Sequence, residues 1–156
     1  MNYAEIFKMV LETLLMTFIS TFLAYLIGLP TGILLNVTSK KGIRPNKTIN
    51  LIVGSFINLL RSIPCLIIIV LCMPISRKLL GSGTGKWYTI IIPLTICAYG
   101  FVSRMVEQSL FEVDSNVIEA IKSLGANNFQ LVFKVLLVEA KPSLISGLSV
   151  VLVSVL

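Results

Sequence analysis

Apolar residues fall along this chain in long runs separated by short polar stretches. The first run extends from Met9 to about Val37, the second from about Ile49 to Ile75 and the third from about Trp87 to Met105; a fourth begins at Ser143 and is still apolar at Leu156. About 20 helical residues cross roughly 30 Å of hydrocarbon, so the first three runs are long enough to span a bilayer. The fourth, at about 14 residues, is too short to do so. The pattern predicts an all-α, polytopic transmembrane helix bundle whose fourth apolar run, 143–156, is only a partial span.

Features inside the runs refine this. Thr13, Thr17, Thr21, Ala24, Gly28 and Gly32 recur at steps of three and four, and a stripe of small residues lets helix backbones approach closely in a membrane. Pro30, between Gly28 and Gly32, is expected to bend the inner end of that helix. The second run is interrupted by Asn58, Arg61 and Pro64. A charge at the bilayer centre costs at least about 2.5–3.5 kcal/mol, so Arg61 must snorkel, pair or face water. Two readings stay open. Either the helix exceeds the bilayer and Arg61 reaches the headgroups, or Asn58, Arg61 and Pro64 line a translocation path, with Pro64 loosening the helix where it must move. Ser76 to Lys86 reads as a turn. Trp87 and Tyr88 suit an interfacial aromatic belt. Arg104 and Glu107, three apart at the inner end of the third span, can pair on one helix face, though a solvated flank is the simpler reading.

Between the third and fourth runs lies a polar segment, residues 106–142. Asp114 or Ser115 can cap a helix that carries Val117, Ile118, Ile121 and Leu124 on one side. Gly125 supplies the permissive backbone for leaving it, and Asn127 with Gln130 has the form of a capping box that opens the next helix. The segment is too polar to cross a bilayer and too apolar for a slack loop, so it calls for a protein partner.

Composition agrees with membrane residence: 56% of the 156 residues are hydrophobic. The net charge of +6 could suggest nucleic acid, but the basic residues flank apolar spans and form no stripe interleaved with stacking aromatics. Their distribution sets an orientation instead. With Lys40, Lys41, Arg44, Lys47, Arg104, Lys122, Lys134 and Lys141 inside and Lys8, Arg77, Lys78 and Lys86 outside, the segment around Glu119 is cytoplasmic. The chain has no histidine, which removes the commonest general base and imidazole metal ligand. Cys65, Cys72 and Cys97 lie in apolar runs without a CxxC spacing and read as small buried hydrophobes rather than disulfides or a metal site. No catalytic or metal-binding residue and no cofactor is expected.

The segment from Glu119 onward resembles the EAA loop of the membrane subunits of binding-protein-dependent ABC importers: Glu-Ala-Ala, three residues, Gly, nine residues, Ile-x-Leu-Pro. Glu119, Ala120, Gly125 and Leu137 stand at those spacings, while Ile121 replaces the second Ala, Val135 replaces Ile and Val138 replaces Pro. Beyond this loop, Leu60-Arg61-Ser62-Ile63-Pro64, Ile92-Pro93-Leu94-Thr95, Arg104-Met105-Val106-Glu107 and Lys134-Val135-Leu136-Leu137 resemble the methionine-importer permease subfamily. The resemblance implies a type I ABC importer permease of the bacterial cytoplasmic membrane, truncated here in its fourth helix, since permeases of that family continue through this helix and a further one. It implies a homodimer with a second permease copy, cytoplasmic ATPase subunits that bind the ATP, and an extracytoplasmic lipoprotein that delivers an amino acid, methionine in L or D form. Val117, Glu119, Ala120, Ile121, Leu124 and Gly125 are then the ATPase-coupling residues. Whether Val117, Ile121 and Leu124 fill a groove on the ATPase or pack back on the permease stays open. The alternative function is a small membrane scaffold that recruits a cytoplasmic partner without transport.

Overall fold

The computed structural model describes residues 3–81 and 86–155, and among them the regular structure is helical throughout. Helix α1, Tyr3–Thr38, is a single 36-residue element that runs unbroken through Pro30. After a short basic loop, α2 covers Lys47–Ser62, capped by the Asn46 side chain, which accepts from the Ile49 amide at 3.3 Å. Helix α3 covers Cys65–Leu80. A single 3-10 turn, Trp87–Ile90, leads into α4, Ile91–Phe111.

The second apolar run, expected as a single span of residues 49–75, is not one continuous helix. It is two helices, α2 and α3, that meet at 101°. Proline excludes the helical conformation at the residue before it, and Ile63 is extended, with φ −82° and ψ 124°. Pro64 therefore breaks the helix rather than loosening it. The turn expected from Ser76 also begins later, because α3 continues to Leu80 and is capped by Gly81 at φ 67°. The middle of that turn, residues 82–85, lies outside the described residues, as do Met1, Asn2 and Leu156. The helix of the third run continues past Met105 to Phe111, so residues 106–111, expected in the polar segment, are helical with it.

Helices α1 and α4 form the spine of the fold. The small-residue stripe of α1 is what brings them together: Thr17, Thr21, Ala24, Gly28 and Gly32 are buried, with Ser20 beside them, while Thr13 at its outer end is half-buried. A Cβ added at Gly28 would come within 2.6 Å of Val102 Cγ1, and one at Gly32 within 2.6 Å of Val106 Cβ. Thr31 and Ser103 share a hydrogen bond of 2.9 Å across this contact. The large side chains on the opposite face of α1, among them Phe18, Phe22 and Leu26, are exposed. A water-soluble protein would not leave such a face open, whereas lipid is its natural solvent.

After α4 come α5, Ser115–Ser123, and a rod formed by α6, Asn128–Gln130, a π-helical stretch, Leu131–Leu136, and α7, Leu137–Glu139. Helix α8, Lys141–Val155, leaves the rod at 64°. It packs on α4 where Gly147 meets Met105 and where Ser143 donates to Ser109 at 3.0 Å. The bend follows from Pro142, which has no amide to give to the preceding turn and whose ring crowds it. Entry to the fourth apolar run is thus set by Pro142, four residues after the position where the EAA pattern carries its proline.

Candidate functional site

Two regions gather the residues that the sequence singled out. The first lies where α2 and α3 meet against α4. The Arg104 guanidinium bonds the Glu107 carboxylate at 2.5 Å and the Gly54 carbonyl at 3.1 Å, and it donates twice to the Asn58 side-chain oxygen, at 2.9 and 3.2 Å. Glu107 is 7% exposed. This corrects the reading of Arg104 and Glu107 as a solvated flank. α4 continues beyond them, so the pair sits inside the bundle, and in a region of low dielectric two charges need each other and their further hydrogen bonds. Asn58, a candidate for the translocation path, is therefore engaged with Arg104 and ties α2 to α4. Its polar side chain and Arg104 both interrupt apolar runs, and that shared oddity is the one sign of their partnership in the sequence.

Arg61 lies on the other side of the α2 terminus, exposed, its guanidinium carbon 5.9 Å from the Phe101 ring centroid, within cation–π range. Its stem passes close to Gly100, where a Cβ would lie 3.2 Å from Arg61 Cγ. Arg61 and Pro64, together with Cys65, Leu94, Cys97 and Phe101, line a cavity of about 400 Å³. Cys65 and Cys97, expected as unpaired hydrophobes, form a disulfide with Cα atoms 5.8 Å apart, while Cys72 is free and buried as expected. Nothing local announces this pairing, because the two cysteines are 32 residues apart and meet only through the break at Pro64.

The second region is the polar segment. Asp114 caps α5, accepting from the Asn116 amide at 2.9 Å. Gly125 stands at φ 83°, with its amide on the Lys122 carbonyl and the Ala126 amide on that of Ile121, the paired closure of a Schellman motif. Asn127 and Gln130 form the anticipated capping box. Ile118 and Ile121 pack on the core formed by α4 and the rod, and Val117 is half-buried. Glu119, Ala120 and Gly125 are exposed, and Leu124 is 85% exposed. The alternatives left open for the apolar side of α5 therefore divide. Ile121 faces the bundle, and Leu124 is available to a partner together with Glu119 and Ala120. The loop between α1 and α2 lies beside α5, and a cavity of about 520 Å³ between them is lined by Lys41, Ile43, Asp114, Glu119 and Lys122.

A long, bent set of apolar helices joined to a short amphipathic helix and a glycine turn is the arrangement of a transport-system membrane subunit. Residues 28–156 match the family described as binding-protein-dependent transport system inner membrane component, and the chain belongs to that family as a multi-pass protein of the bacterial cytoplasmic membrane. It is 40% identical over 143 residues to the D-methionine transport system permease protein MetI of Yersinia pestis and 41% identical to that of Escherichia coli. Each alignment covers 92% of this chain and 65% of the relative, so the chain spans just under two thirds of the length of these proteins. Among solved structures, the inward-facing MetNI methionine ABC transporter superposes with a TM-score of 0.92 at 39% identity, over 99% of this chain and 73% of the other. An amino acid ABC transporter at 23% identity superposes with a TM-score of 0.63, which extends the likeness of fold alone. The fold is that of a type I ABC importer permease.

Proposed function

We propose that this chain is the membrane-spanning part of an ATP-driven importer that moves methionine across the cytoplasmic membrane by alternating access. The observation that carries the reading is the build of residues 114–130. A capped helix turns one face to the bundle through Ile118 and Ile121, offers Glu119, Ala120 and Leu124 outward, and ends on a glycine held at φ 83°. A helix seated on its own bundle by one face and gripped by a partner on the other is a lever. The partner would be a cytoplasmic ATPase subunit, one for each of two permease copies, with an external lipoprotein delivering the cargo. The nearness of the basic loop carrying Lys41 to α5 supports the orientation, since both then lie on the cytoplasmic side.

ATP is bound and hydrolysed by the partner, and this chain contributes shape and motion. ATPase closure displaces α5, the rod from Asn128 to Glu139 carries the displacement to α8, and α4 carries it through Arg104 to Asn58 and the α2–α3 elbow. The similarity to D-methionine permeases, at about two fifths identity, supports methionine as the cargo. In vesicles that hold the permease with its ATPase and lipoprotein, uptake of labelled methionine should require ATP. A scaffold would bind the ATPase yet give neither uptake nor methionine-stimulated hydrolysis, and that result would reject the importer.

A further inference from the structure

Cys65 is the first residue of α3, one position past the proline that breaks the second apolar run, and Cys97 is on α4, within the helix that faces it. Both cysteines line the cavity of about 400 Å³ beside Arg61 and Phe101, and Cys65 is exposed. We propose that Cys65 and Cys97 form a thiol–disulfide exchange site, open to small thiols and disulfides through this cavity, whose bridged form pins the α2–α3 elbow to α4.

The placement is what gives the bridge its effect. On the α2 side the elbow rests on α4 through Leu60 and Arg61 against Gly100 and Phe101, with Asn58 held by Arg104 a turn earlier, and the extended backbone at Ile63 is the natural pivot. A covalent link two residues beyond that pivot holds α3 against α4 and keeps it from swinging away. If the basic loop before α2 is cytoplasmic, 16 helical residues of α2 carry the elbow about 24 Å toward the other face at 1.5 Å per residue. That is the side where protein disulfides persist.

The exchange is balanced by a small disulfide, RSSR. In the reduced protein one cysteine thiolate, Cys65 being the exposed one, attacks a sulfur of RSSR and expels RS⁻, leaving a mixed disulfide. The Cys97 thiolate then attacks the Cys65 sulfur and expels the second RS⁻. The two protein thiols give up two electrons, RSSR takes them, and the two thiol protons end on two molecules of RSH. Excess RSH drives the same steps in reverse.

The test counts thiols in the membrane-embedded chain. After reduction and desalting, the folded protein is exposed to oxidised glutathione, then denatured and treated with a polyethylene-glycol maleimide that retards the band once per free cysteine. Of the three cysteines, Cys72 alone should react after oxidised glutathione, and all three after reduced glutathione is added to the folded protein. Three reactive thiols after oxidised glutathione would overturn the proposal. So would a bridge that reduced glutathione opens only after denaturation, or a glutathione adduct that persists without bridging. Cys97→Ser should trap glutathione on Cys65 at unit stoichiometry; should that variant fail to insert, Cys65→Ser in turn should show no bridge, with Cys97 free or glutathionylated. The consequence for transport rests on the importer reading: uptake should be lost on oxidation, regained on reduction and unaffected by oxidant in Cys65→Ser. An absence of uptake in every state would reject the importer reading, while the thiol count would still decide the exchange site.

Discussion

Arg104 makes four hydrogen bonds, reaching Glu107, Asn58 and the Gly54 carbonyl from a largely buried position. Replacing it with methionine leaves the Glu107 carboxylate buried without its cation, which costs about 3–5 kcal/mol when a buried pair is broken on one side. Arg104→Met should therefore lower the Tm of the detergent-solubilised protein sharply, and Arg104→Met combined with Glu107→Leu should recover much of the loss. Equal destabilisation by the single and double variants would show that the pair is not what is being lost. Gly32 is the complementary case, where an atom is missing by necessity. A Cβ there would lie 2.7 Å from the Ser103 carbonyl oxygen, a backbone atom that cannot swing aside. Gly32→Val should cost about 1–3 kcal/mol through overpacking, read as a lower Tm, with Thr31 and Ser103 losing their contact as α1 and α4 part.

At the scale of elements, the turn between α5 and the rod is made at Gly125. Nothing lies within 4 Å of where its Cβ would be, but its φ is 83°, and a β-branched residue in the left-handed region is strained by about 1–2 kcal/mol. Relief of that strain rotates α5 relative to the rod while leaving the membrane helices packed. Gly125→Val should insert normally and retain ATP hydrolysis by the assembled transporter, yet lose methionine uptake. Uptake equal to that of the unmodified protein would argue against α5 as the lever. The two sharp bends belong to the same scale. Pro64 separates α2 from α3 by 101° and Pro142 stands just after the 64° bend into α8, so the two apolar runs that flank the spine are each redirected by a residue that cannot donate an amide.

Across the whole molecule, the apolar exterior of α1 and the polar face of α5 call for opposite solvents, lipid along one and water at the other. This predicts a sidedness. Ala120, exposed on α5, should when changed to cysteine in a chain with Cys65, Cys72 and Cys97 replaced by serine react with a membrane-impermeant maleimide from the cytoplasmic face of sealed vesicles. Labelling only from the external face would invert the topology and remove the ATPase from its proposed seat. The α1–α4 spine explains how so apolar a chain holds together in lipid, where burial of hydrocarbon provides little drive between helices. Close approach at Gly28, Gly32 and Gly147, with hydrogen bonds from Thr31 and Ser143, supplies the contact instead.

Local chemistry by itself determined the membrane character, the face by which α1 packs, the cap at Asp114, the turn at Gly125 and the capping box at Asn127. Each depends on residues within a few positions of one another, where helix period and backbone preference act directly. The tertiary structure decided what distant residues do together. It turned the second apolar run into an elbow, drew Arg104 into the bundle with Asn58, brought Cys65 to Cys97 and divided the apolar side of α5 between bundle and exterior. These outcomes depend on how helices cross in three dimensions, and a one-dimensional pattern of apolar and polar positions carries the faces of each helix but not which faces meet.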